Sequence, residues 1–161
     1  MSHIKIEEGR YGRSIISARR IARHEVIFLL TGQLVDAPNK HTIQITEENH
    51  LDPLGADWRL INHSCMPNLR ADIEHRRMIA LIDIDVGREL TFNYLSTEWS
   101  LSSPFVCVCG APGCPGEIRG YRFLDFSQRS AIRHLLSEHL ARRFDASEGI
   151  DEKPLPSFNV A

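Results

Sequence analysis

Residues 61–68 read Ile-Asn-His-Ser-Cys-Met-Pro-Asn (INHSCMPN), setting amide, imidazole, hydroxyl and thiol side by side. On its own the stretch reads as a turn whose polar side chains satisfy backbone groups. What makes it decisive is Cys65, because the chain has only four cysteines and the other three lie together in CVCGAPGC, residues 107–114. Cys107 and Cys109 stand one residue apart, Gly110 frees the backbone to turn, and Cys114 follows a loop holding Pro112 and Gly113. On a strand, positions i and i+2 share a face, so two thiols converge while the loop brings round a third. Three sulfurs suit tetrahedral zinc and want a fourth ligand, which makes Cys65 the remote candidate. Two disulfides, or four inert core thiols, are the alternatives.

The remaining composition bounds the fold class. The chain has 161 residues, 42% apolar and 25% charged, the size of one ordinary domain. MSHIKIEEGR at the start lacks the basic and apolar regions of a secretory signal, so reduced cysteines and a cytoplasmic or nuclear location are expected. The longest apolar run, Val26 to Leu30, is far too short for a membrane span and reads as a buried strand. The net charge of −2 and dispersed arginines argue against a direct nucleic-acid grip and suit a basic partner.

Short β-branched or aromatic segments at Arg13–Ile16, Glu25–Leu30, His41–Ile45, Arg70–Ile73, Met78–Ile82 and Leu90–Tyr94 predict a mainly β body. From Ser127, a plausible N-cap, Ile132, Leu135, Leu136, Leu140 and Phe144 recur at helical spacing and predict one amphipathic helix packed on the core. The segment from Ala146 onward reads as loose.

In order along the chain, NHSCMPN, then IDIDVGRELTFNY, then CVCGAPGC is similar to the SET-domain protein lysine methyltransferases with a zinc-binding post-SET segment. The resemblance runs over roughly residues 9–120. EGRYGRSIISARRIARHEVIF resembles the family's opening glycine motif and following strand, and Trp58-Arg59-Leu60-Ile61 resembles its approach to the Asn-His pair. It implies a fold of small sheets with a pseudoknot, one segment threaded through a loop made by the other, plus one C-terminal α-helix. The division implied is a SET domain over 1–103, a post-SET zinc loop over 104–120, a helical extension over 121–145 and a tail over 146–161.

The resemblance also implies roles. Asn62 and His63, with Gly12, Arg13 and Ser14, would bind S-adenosylmethionine. Cys65, Cys107, Cys109 and Cys114 would hold zinc. Tyr94, otherwise readable as an ordinary strand aromatic, would be the catalytic tyrosine, and Phe92 would line the substrate channel with room for di- or trimethylation. The substrate would be a lysine-containing protein or peptide, a histone tail among the candidates.

Several departures from the family pattern are visible. Ser14 replaces a second glycine, His24 stands at a turn glycine, and His41 and Thr42 occupy the place of a channel tyrosine. The loop after the last cysteine departs as well, reading Cys114-Pro115-Gly116-Glu117-Ile118 where the family's post-SET loop commonly has Arg and an aromatic, so Ile118, Tyr121 or Phe123 would supply the apolar cover instead. A SET-like zinc-containing binding module with little or no turnover is the alternative to the enzyme, and a nucleic-acid-binding zinc module is a third reading.

Overall fold

The computed structural model describes residues 3–9 and 12–151, the last four of these by backbone alone. Twelve short strands run in order: β1 Ile4–Gly9, β2 Gly12–Ser17, β3 Val26–Leu29, β4 Gln33–Val35, β5 Ile43–Gln44, β6 His50–Asp52, β7 Asn62–His63, β8 Leu69–Asp72, β9 Arg77–Ala80, β10 Thr91–Phe92, β11 Phe105–Val106 and β12 Glu117–Ile118. Helices α1 Phe126–Ile132 and α2 Glu138–Asp151 follow. The strands form five small sheets, β1-β2, β3-β9-β8, β4-β6-β5, β7-β10 and β11-β12. The mainly β architecture expected from the sequence is what the chain adopts. Among the described residues no helix is long and apolar enough to cross a membrane.

One pairing organises the site. β10 runs parallel to β7, with Thr91 opposite Asn62 and Phe92 opposite His63. Parallel neighbours need a long crossover, and here residues 64–90 supply it, including the β8-β9 hairpin. A 3-10 turn over Asp57–Leu60 aims the chain into β7. Its Trp58 is buried, and the indole N–H donates to the Thr31 carbonyl at 3.0 Å.

Two apolar clusters result. The larger, with Ile15, Ile21, Leu51, Trp58, Ile61, Leu69, Met78, Leu90 and Phe92, fills the body. The smaller joins Leu95, Ile118, Tyr121, Leu124, Leu136, Leu140 and Phe144, so the C-terminal stripe packs within the chain. Tyr94 touches both clusters, which places it at their seam.

Several expectations need correction. The strand expected over Leu90–Tyr94 ends at Phe92, because the Asn93 side chain accepts the Leu95 N–H and caps a 3-10 turn over Tyr94–Ser96. The strand expected over His41–Ile45 shrinks to Ile43–Gln44, since Asn39 folds a turn in which its side-chain oxygen accepts the His41 N–H at 2.8 Å. Val26 to Leu30 is not a buried strand throughout. It lies at a sheet edge with Val26 41% and Leu29 66% exposed.

The single C-terminal helix is two. Asp125, not Ser127, is the N-cap of α1, where it forms a reciprocal capping box with Gln128. After α1 a 3-10 turn intervenes, and the Ser137 N–H donates to the Ser96 carbonyl at 2.8 Å, anchoring the chain on the body before α2 begins. α2 then runs to Asp151, six residues into the segment expected to be loose, with no proline before Pro154 to stop it. Residues 152–161 of that segment lie outside the described ones.

Candidate active site and metal centre

The thiols of Cys65, Cys107, Cys109 and Cys114 all lie within 4.8 Å of one another, and none is in a disulfide. Tetrahedral zinc–thiolate bonds of about 2.3 Å would set sulfurs roughly 3.8 Å apart, so the cluster is close to the size a metal needs. Backbone amides of Ala111 and Gly116 point at the sulfurs of Cys109 and Cys114, each at 3.4 Å. Gly110 takes a φ of 67°, the left-handed conformation that turns the loop back toward the sulfurs.

Burial pushes the Cys65 thiol up and raises Cys107 to about 11. Burial also opposes ionisation of Cys109, but amide hydrogen bonds from Ala111 and Cys65 prevail and bring it down to about 7. This donor set fits a structural zinc: four sulfurs, no open position among them, and amides directed at charge that a metal-bound thiolate carries.

Cys65 ends the segment that β7 begins, so the cluster abuts the residues paired with β10. The backbone N–H of Tyr94 donates to His63 Nδ1 at 3.1 Å, and His63 Nε2 lies 3.3 Å from Cys65 Sγ. Burial holds the His63 imidazole down to about 4, so it is neutral at physiological pH.

The Tyr94 phenol donates to the Ile61 carbonyl at 2.7 Å. Burial, with smaller contributions from Glu89 and Glu98, raises its pKa above the ordinary tyrosine value. The ring sits 4.8 Å from Phe92, 5.3 Å from His63 and 6.1 Å from Phe105, centroid to centroid. Phe105 had no signal in the sequence beyond an aromatic after Pro104. It is a second phenylalanine, with Phe92, that the structure places beside Tyr94, whereas His41 is exposed at a turn. Of the residues considered for apolar cover, Ile118 and Tyr121 are fully buried in the smaller cluster, and Phe123 stays 43% exposed beneath Arg119 and Arg122.

Asn62, on the other side of β7, collects the N-terminal motif. Its amide nitrogen donates to Glu89 Oε1 at 2.8 Å and lies 3.3 Å from both the Arg13 carbonyl and Ser14 Oγ. Ser14 is buried, and its hydroxyl serves as a partner for Asn62. Gly12 precedes it at the start of β2, so Gly12, Arg13 and Ser14 line up along the strand that meets Asn62. Glu89, missed in the sequence, also lines an open concavity of about 330 Å3 with Ser64, Met66, Asn68, Arg88 and Thr91.

A further group went unnoticed. Glu98 is 8% exposed, and its carboxylate accepts from the Gln44 amide at 2.7 Å and from the Thr97 hydroxyl at 3.1 Å. Burial nevertheless outweighs those bonds and pushes it up to about 7. His50 Nε2 lies 3.9 Å away, also buried and held below its ordinary value by desolvation.

A fold of five small sheets, one of them a parallel pair that sets an Asn-His segment beside a half-buried tyrosine and a four-thiol cluster, defines a narrow class of proteins. Residues 12–95, just over half of the chain, match the SET domain family model, and the chain belongs to that family. It is 39% identical over 89 residues to methyltransferase flvH of Aspergillus flavus, covering 54% of this chain and 49% of that protein. Against histone-lysine N-methyltransferase NSD3 of Mus musculus the identity is 29% over 157 residues, covering 83% of this chain but 10% of that one. A crystal structure of KRYPTONITE in complex with mCHG DNA and SAH superposes with a TM-score of 0.58 at 25% identity, over 71% of this chain and 28% of the other. The chain thus spans about half the length of the first of these relatives and far less of the others. The Cys107–Cys114 loop lies beyond the matched residues.

Proposed function

We propose that the chain is an S-adenosylmethionine-dependent methyltransferase acting on the ε-amine of lysine in a protein or peptide. The observation that carries this reading is Tyr94, a half-buried residue whose phenol is held on the Ile61 carbonyl at 2.7 Å, between Phe92 and Phe105 and one strand pairing from Asn62. Support comes from relatives named as histone-lysine N-methyltransferases and from a similar solved structure that holds SAH. A histone tail is therefore the first substrate to try. Direct nucleic-acid contact is not part of the reading, and a cytoplasmic or nuclear location is.

S-adenosylmethionine would supply a methyl carbon on a sulfonium sulfur: the lysine lone pair forms the new N–C bond as the C–S bond breaks, and the sulfur leaves with the bonding pair as the neutral thioether S-adenosylhomocysteine. A free lysine amine has a pKa of about 10.4 and is protonated at neutral pH, so the site must favour the neutral form. Phe92, Phe105 and the Tyr94 ring form an apolar wall that does so by desolvation. Tyr94 keeps its proton, since its pKa is raised, and that proton is committed to Ile61. Its oxygen therefore acts as an acceptor, holding the amine N–H or the methyl C–H in line rather than removing a proton.

Asn62, Arg13, Ser14 and Gly12 form the cofactor side, where a carboxamide offers donor and acceptor together. Phe92 has no hydroxyl to anchor a water, which leaves room for a second or third methyl group. The cysteine cluster holds zinc, which closes residues 104–120 as a post-SET loop over the body. The 1–103 body and the helical extension from 121 complete the division.

The test uses the full chain, labelled S-adenosylmethionine and core histones, comparing the parent with Tyr94→Phe. Misplacing a reacting group costs about 100-fold, so Tyr94→Phe is expected to label at about 1% of the parent rate while calorimetry finds cofactor affinity within threefold. Phe92→Tyr should shift the products toward monomethyl-lysine. Equal labelling by Tyr94→Phe refutes the role of the phenol. Cofactor binding by the parent without transfer to any basic protein identifies a SET-like binding module.

A further inference from the structure

We infer that the side chain of His63 is a positioning residue that braces Tyr94 against the metal ligand Cys65, a role separate from any contact of its backbone with cofactor. The inference rests on reading the thiol cluster as a metal site and Tyr94 as the reacting phenol. Its geometric basis is the imidazole itself. A backbone amide only donates, so the Tyr94 N–H at 3.1 Å requires Nδ1 to be the unprotonated nitrogen. In the neutral ring the remaining hydrogen is then on Nε2, which lies 3.3 Å from Cys65 Sγ. An N–H directed at a ligand sulfur is the kind of outer contact that orients a ligand and steadies its charge.

The ring is also gripped from its sides. Tyr94 meets it edge-on at 5.3 Å and 69°, and Phe105 at 5.6 Å and 72°. Phe105 lies on β11, two residues before Cys107. A single imidazole thus touches the 3-10 turn that carries the phenol, the sulfur supplied by the body, and the strand that leads into the loop's first thiol. Fixing Cys65 fixes the ring, and the ring fixes the backbone nitrogen from which the Tyr94 side chain projects.

Two conservative substitutions divide the role. In His63→Asn the side-chain oxygen stands near the place of Nδ1, keeping an acceptor for Tyr94 and removing the donor to Cys65. In His63→Gln the side-chain amide stands near Nε2, keeping the donor and removing the acceptor. Each is prepared as the zinc-loaded full chain. Zinc release is followed with a chromophoric chelator, and hydrogen exchange is measured at the Tyr94 amide.

Outer contacts to a metal ligand are worth about 10- to 100-fold, so His63→Asn is expected to release zinc at least about tenfold faster while the Tyr94 amide stays protected. His63→Gln is expected to keep zinc within threefold of the parent while exchange at Tyr94 accelerates at least tenfold. A ring that merely fills space gives two variants with the same changes, and that result overturns the inference. So does unchanged zinc release in His63→Asn, or unchanged exchange at the Tyr94 amide in His63→Gln. None of these readings needs methyl transfer to be detected, so a failure of the proposed activity is distinguishable from a failure of the brace.

Discussion

Replacing Glu98 by Gln should make the protein's stability respond to pH in a defined way. The parent carboxyl is pushed up to about 7 by burial, against an ordinary value of 4.5. A raised carboxyl binds its proton more tightly in the folded chain than in the unfolded one. Its cost to stability is therefore absent well below pH 4.5, grows as pH rises through 4.5 to 7, and is complete above 7. The difference corresponds to about 3 kcal/mol, most of which develops between pH 5 and pH 8.5.

The Gln side chain keeps an oxygen for the Gln44 amide and carries no charge, so Glu98→Gln lacks this dependence. Burial holds His63 and His139 down to about 4, and these groups make stability rise with pH from about 4 to 6.5. They are common to both proteins and cancel in the difference. Urea unfolding of parent and variant at pH 5, 6, 7 and 8.5 measures it. The variant should gain on the order of 2 to 3 kcal/mol on the parent from the lowest to the highest pH. A difference constant within about 0.5 kcal/mol, or one of opposite sign, refutes the argument that burial governs this carboxyl.

A Cβ at Gly120 would stand 2.6 Å from Ser100 Cα and from the Trp99 carbonyl oxygen, at a φ of 126°, so Gly120→Ala should cost at least about 3 kcal/mol in denaturant unfolding or abolish soluble expression. His24 holds a φ of 69°, and His24→Gly should be neutral or stabilise by about 0.5 kcal/mol; a loss beyond about 1 kcal/mol counts against strain at this turn. Cys114→Ser should lower metal content from about one zinc per chain, and chelation of the parent should reduce its melting temperature by several degrees. Unchanged melting after complete metal removal would show that the cluster does not support the fold.

The sequence revealed most where chemistry is local and least where partners are remote. The thiols were legible because few roles explain a Cys-x-Cys in a glycine-proline loop; His24 was seen to stand at a turn glycine of the family pattern, and the structure shows that it takes a positive φ there. β7 was not legible, since its two polar residues become a strand only through pairing with β10. The break between α1 and α2 is set by Ser137 bonding to Ser96, a tertiary contact that the apolar spacing of Ile132 through Phe144 does not encode. Glu98, flanked by Thr97 and Trp99, gave no sign of burial, and neither did the packing of Phe105 on His63 and Tyr94. Ser14, a departure from the glycine motif, became intelligible once its hydroxyl was seen to engage Asn62.

Because one sulfur of the cluster comes from the body and three from the distal loop, a bound metal ties residues 65 and 107 into a closed ring of chain. Residues 66–106 lie within that ring, including β8, β9, β10 and Tyr94. By the relation used for covalent crosslinks, a ring of this length removes about 4 kcal/mol of freedom from the unfolded chain. A protease cut at the Glu74–Arg76 turn would then leave two fragments still joined through the ion, and a chelator would let them part.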